Sequence, residues 1–142
     1  MAAKQMFIMR GLPGSGKSTK TGELVKQFGQ DNVRVCSADV YFIRPDGQYD
    51  WNPKFLRSAH FWCYKKAKDA CEINQPVVII DNTNIKREDL QPYADLGKQH
   101  GYVVTEVVVG QFDEESCKIY AERNQHGCPL DVILKRAKVY EP

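Results

Sequence analysis

The sequence has almost no surplus of charge, no cysteine pair at metal-binding spacing and no apolar run approaching the length of a membrane span. Twenty Lys and Arg against eighteen Asp and Glu leave a formal +2. The field of the whole molecule therefore does not announce a nucleic-acid binder, and any basic site must be local. The five cysteines (Cys36, Cys63, Cys71, Cys117, Cys128) are odd in number, at least eight residues apart and never in a CxxC pair. That spacing argues against a disulfide framework and a zinc site, and for a reducing compartment. The segment Met6 to Met9 is far too short to cross a bilayer or to form a signal-peptide core. The expected location is the cytoplasm, with the nucleus open by diffusion and no membrane involved. Repeats, low-complexity runs and linkers are missing too, so 1–142 reads as a single domain with one core.

What the sequence does contain is an alternation. Apolar runs at 5–9 (QMFIM), 33–36 (VRVC), 77–80 (VVII) and 102–109 (YVVTEVVV) are separated by amphipathic stretches. Near-continuous Val/Ile runs are the mark of strands buried on both faces, and the order predicts an α/β fold built from βαβ units. The expected architecture is a parallel sheet of four to five strands with helices on both faces and a C-terminal helical lid. In such sheets ligands bind beyond the carboxyl ends of the strands, so functional residues should follow each apolar run.

After the first run comes Met9-Arg-Gly-Leu-Pro-Gly-Ser-Gly-Lys-Ser-Thr19. Gly11-x-x-x-x-Gly16-Lys17-Ser18 matches the P-loop pattern in full, between a predicted strand and a helix from about 17. Its glycines let backbone N–H groups turn toward phosphate, Lys17 reaches the β and γ oxygens, and the Ser18 hydroxyl can ligate Mg²⁺. Leu12, Pro13, Gly14, Ser15, Gly16, Lys17, Ser18 and Thr19 are the nucleotide-binding candidates, with ATP or GTP as the nucleotide.

Asp39 stands two to three residues past the second run, where a carboxylate could take the proton of an acceptor hydroxyl or serve only as a capping or loop aspartate. Asp81 ends the third run in a Walker-B-like way; it could hold Mg²⁺, or order the loop by accepting hydrogen bonds. Asn82 and Asn84 could position an acceptor or cap the next helix. Arg123, after a helical stretch from near Asp113, suits a lid that closes over a triphosphate, or complements a helix dipole. His60, at the edge of a core stripe, His100 and His126 read as structural.

The middle helix is well signalled, with Asn52 as cap and Pro53 in its first turn. Leu56, Ala59, Cys63, Ala67 and Ala70 fall within an arc of about 80° that should face the core. Lys54, Arg57, Lys65 and Lys68 lie opposite, with Phe61 and Tyr64 beside them and no acid from 54 to 68. That face is a solvated lysine surface or a phosphate-tracking one. Trp51 and Trp62 read as anchors of the helix.

Taken together, GLPGSGKST, SADVYF, VVIIDNTN and RNQHG resemble, in content and order, the polynucleotide 5′-kinase-like branch of P-loop proteins. Through DGQYDWNPKFLRSAH and PYADL the chain is similar over nearly its full length to the small kinase-like domains found in and beside a ubiquitin-ligase-binding protein. The resemblance implies transfer of the ATP γ-phosphate to the 5′-hydroxyl of a nucleic-acid end. By position, Asp39 matches the general base, Lys17 and Ser18 the phosphate and metal contacts, and Arg123 a lid arginine. Two arginines of the viral type are missing; their neighbourhoods here read Gln125-His126 and Phe42. Each charge-assisted bond to phosphate contributes about 1.5–3 kcal/mol, so their loss bears on the acceptor. Arg44, Asn82 or the basic face at 54–68 would have to supply that contact. A kinase of a small alcohol and a non-catalytic ATP-binding interaction module are the alternative readings.

Overall fold

The computed structural model describes residues 3–124 and 127–142. β1 (Gln5–Arg10) leads into α1 (Lys17–Phe28), followed by β2 (Val33–Cys36), α2 (Leu56–Glu72), β3 (Val77–Asp81), α3 (Arg87–Gln99) and β4 (Val103–Val108). Two short helices, α4 (Glu114–Arg123) and α5 (Leu130–Lys138), complete the described chain. The strands form one parallel sheet in the order β2-β3-β1-β4. After α1 the chain moves outward to β2 and returns to β3; after α3 it crosses to the far side of β1. The carboxyl end of β1 thus lies at the reversal of strand order, where open α/β sheets bind ligands.

The central strands β1 and β3 are buried apolar runs because both their faces are covered, whereas the edge strand β4 is largely exposed and carries Thr105 and Glu106. Phe7, Met9, Val77 and Ile79 meet Leu24, Val25 and Phe28 of α1, with the Phe7 and Phe28 rings 5.6 Å apart. Met6, Ile8, Val78 and Ile80 meet Ala59, Cys63, Ala67 and Ala70 of α2 together with Leu90, Tyr93 and Leu96 of α3. A third cluster stacks α4 and α5 on the phosphate loop through Leu12, Ile85, Cys117, Tyr120 and Ile133. The expected parallel sheet with helices on both faces is present, with four strands among the described residues, and α4 and α5 stand where the sequence placed a C-terminal helical lid.

α2 departs from its expected pattern in detail. The Asn52 side chain accepts from the Lys54 N–H at 3.0 Å, but it caps a 3-10 turn over Pro53–Phe55, after which the α-helix starts. Burial begins at Ala59, and Leu56 remains 39 % exposed. Tyr64 does not join the outer face: its ring packs on Tyr93 at 5.6 Å, against the core. Trp51 is half exposed and anchors nothing in the core, and His60 is exposed as well.

Candidate active site

The loop between β1 and α1 is held from both sides. Gly11 donates to the Thr83 carbonyl at 3.0 Å, and Ser15 N–H donates to the Leu12 carbonyl at 3.0 Å. Gly16 caps α1 in the left-handed region at φ 104°. Gly14 has φ +82°, and a Cβ there would also run into the backbone carbonyl of Tyr120. Leu12 is fully buried under the helical pair, so only its backbone can serve a ligand. Ser15 Oγ is buried with no hydrogen-bond partner among the described residues. Ser18 and Thr19 are exposed on the first turn of α1, which carries no acidic residue. An orphaned hydroxyl beneath a helix N-terminus with no local negative charge fits an anionic group.

Three charged side chains from three elements converge beside the loop. Burial pulls the Lys17 ammonium below the usual lysine range, opposed first by Asp81 and then by Asp39. Burial likewise raises the Asp81 carboxyl, opposed by Lys17 and by the Thr21 hydroxyl, which donates to Asp81 Oδ2 at 3.2 Å. Asp81 is thus tied to the second turn of α1, one turn beyond Ser18. Asp39 is exposed in a 3-10 turn, Ala38–Phe42, and Tyr49 Oη donates to it at 3.5 Å. Burial and then that carboxylate push the Tyr49 phenol up to about 12, so it remains a donor at neutral pH.

The Asn82 side chain is engaged within the fold rather than left open to solvent. It is buried, its Oδ1 accepts from Ala38 N–H at 2.8 Å, and its Nδ2 donates to Cys63 Sγ at 3.6 Å. The amide thus ties the turn that carries Asp39 to the end of β3 on one side and α2 to it on the other. Asn84 does not cap a helix: at φ 48° it donates to the Met9 carbonyl at 2.7 Å and ties this loop to β1. The cap of α3 is formed by Lys86 and Asp89. Arg44 pairs with Asp46 at 3.1 Å in an exposed loop, which partly neutralises the charge expected to meet an acceptor.

On the lid side, Arg123 ends α4, lies 5.1 Å from the Tyr120 ring centroid and donates Nε–H to the Gly14 carbonyl at 2.6 Å. The neighbouring Gln125 and His126 lie outside the described residues. Arg136 on α5 went unseen in the sequence: its charge bears on Lys17 and Tyr49, and it lines a hollow of about 260 Å³ with Thr83 and Lys86. Arg10 is a second such residue. Fully buried at the end of β1, it donates to the carbonyls of Asn84, Ile85 and Glu141 and pairs with Glu106 at 3.2 Å. A charge closing an otherwise apolar strand was its only local signal.

A protein-family model described as AAA domain matches residues 6–140. The chain belongs to this AAA-domain family. Human NEDD4-binding protein 2 is 35% identical over 138 residues, 96% of this chain and 8% of that protein. Rat 2′,3′-cyclic-nucleotide 3′-phosphodiesterase is 31% identical over 132 residues, 93% of this chain and 30% of that protein. The chain therefore spans less than a third of the length of these relatives. Among solved structures, a chain of the Pnkp1/Rnl/Hen1 RNA repair complex superposes with TM-score 0.71 at 18% identity, covering 98% of this chain and 44% of that one. The likeness establishes the P-loop kinase-like fold.

Proposed function

We propose that the chain transfers the γ-phosphoryl group of ATP to the 5′-hydroxyl of a polynucleotide or oligonucleotide. The observation that carries this reading is the convergence of Lys17, Asp81 and Asp39 at the carboxyl end of the sheet, with Asp39 the exposed member. A module that only holds nucleotide needs the lysine and the loop. It has no use for an exposed carboxylate fixed by Asn82 and Tyr49 beside them.

In this reading Lys17 and the loop N–H groups hold the donor phosphates. Asp39 takes the proton of the acceptor hydroxyl as its oxygen bonds to the γ-phosphorus, and the bond to the bridging oxygen breaks to release ADP. Ser18 and Asp81 would hold Mg²⁺, which would supply positive charge to offset that of the phosphates. Arg123 keeps its terminal nitrogens for the transferring group while Nε holds Gly14. Support for a nucleic-acid acceptor comes from the resemblance to polynucleotide kinases and from the neighbour in an RNA repair complex.

The test offers γ-labelled ATP and Mg²⁺ with 5′-hydroxyl DNA and RNA strands, small alcohols and a 2′,3′-cyclic nucleotide. Label should move to strand ends, and Asp39→Asn should lower turnover about 10²–10⁴-fold with ATP affinity retained. Label reaching only small alcohols or water, or turnover indifferent to Asp39→Asn, would overturn the reading.

A further inference from the structure

Next to the turn that carries Asp39, the surface opens into a cleft of about 250 Å³ between β2 and α2. Arg34, Val35, Ser37, Val40, Trp62 and Lys66 line it, and Ser37 is two residues from Asp39. Val35 and Val40 are 39 and 49 % exposed. The Lys66 ammonium sits 4.9 Å from the centroid of the Trp62 ring, and that ring packs edge-on against Tyr41 at 5.9 Å. Neither Arg34 nor Lys66 has a carboxylate within ion-pair distance among the described residues. Both nevertheless bear on one buried thiol at the cleft floor, Cys36, which burial pushes up to about 12.

Two uncompensated cations ask for an anion, and an apolar wall with an indole asks for a flat ring. A nucleotide unit supplies both, since phosphates track cations while bases stack on aromatic side chains with little regard to sequence. The volume is just below the range of ordinary ligand pockets, which suits one such unit. A small alcohol reacting at Asp39 would need none of these features.

The geometry points to this cleft as the seat of the nucleotide next to the reacting end of a single-stranded acceptor. Its phosphate lies between Arg34 and Lys66, its base lies against Trp62, and the 5′-hydroxyl unit reaches Asp39. The assignment rests on the kinase reading above. It gives the acceptor side the cationic contact that Phe42 and Arg44 do not provide.

Trp51 and Trp62 are the two tryptophans, so a Trp51→Phe background makes Trp62 the sole indole reporter. A short 5′-hydroxyl oligonucleotide should quench its emission. Arg34→Glu with Lys66→Glu should weaken oligonucleotide binding at least tenfold and reduce the salt slope by up to about 1.4. The milder Arg34→Gln with Lys66→Gln should shift both in the same direction, and ATP affinity and transfer to a single nucleoside should hold in every variant. Quenching that survives charge reversal, or a nucleoside rate that falls as far as the oligonucleotide rate, would overturn the assignment. Quenching without transfer to any acceptor overturns the kinase reading alone, and oligonucleotide transfer untouched by charge reversal overturns the cleft alone.

Discussion

Lys17 and Asp81 share one buried environment, and their shifts have opposite consequences for stability. Asp81 titrates above its ordinary value because burial disfavours its charged form. Between that ordinary value, about 3.9, and the raised folded one, the native state holds more protons than the unfolded chain. Stability therefore falls as pH rises through this window. Lys17 is shifted down, so between its folded value and 10.5 the unfolded chain holds the extra proton and stability rises with pH. Replacing Asp81 by Asn should remove the acid-side decline: the stability of wild type relative to Asp81→Asn should fall from about pH 4 upward. Denaturant midpoints across pH, without nucleotide, measure it, and parallel curves would contradict it.

At the level of elements, α4 is docked on the phosphate loop by backbone as well as side chain. Gly14 lies under the Tyr120 carbonyl, and Arg123 donates to the Gly14 carbonyl. Gly14→Ala adds a methyl to a left-handed residue, at about 1–2 kcal/mol, and also displaces α4. The expected result is lower stability with nucleotide affinity reduced more than tenfold, read by thermal shift with and without ATP. Gly22→Ala, inside α1 with nothing near the added methyl, is the control: it should raise stability by about 0.5–1 kcal/mol and leave nucleotide affinity unchanged. These elements also show what a sequence can disclose. The four strands, the loop and the stripe from Ala59 to Ala70 were legible because neighbours in the chain carry their signals. The Thr21 bond to Asp81 spans 60 residues and the Arg10 pair with Glu106 spans 96, so no local pattern contains them. Asn82 was legible as a polar residue at a strand end. Its use as a brace rather than a contact was not, because its partners, Ala38 and Cys63, come from other elements.

Across the whole molecule, the five cysteines are free thiols, of which only Cys128 is partly exposed. Burial raises the Cys36, Cys63, Cys71, Cys117 and Cys128 thiols, Cys36 to about 12, so thiolate is scarce at neutral pH. An alkylating reagent at pH 8 should modify Cys128 first in the native protein, with the other four released together on unfolding. Mass spectrometry of the time course checks this, and early labelling of Cys63 or Cys71 would contradict it.

The Arg10 clasp has a consequence for how the molecule is made. The arginine belongs to a strand at the middle of the sheet, yet one of its acceptors, the Glu141 carbonyl, is 131 residues further along. At about 5–20 residues per second, ribosomes need roughly 7 to 26 s to bring that acceptor out after Arg10 has emerged. During that interval the guanidinium cannot be buried with all its partners in place. Until Glu141 arrives, the carboxyl end of β1 lacks one of the acceptors that make burial of a guanidinium tolerable.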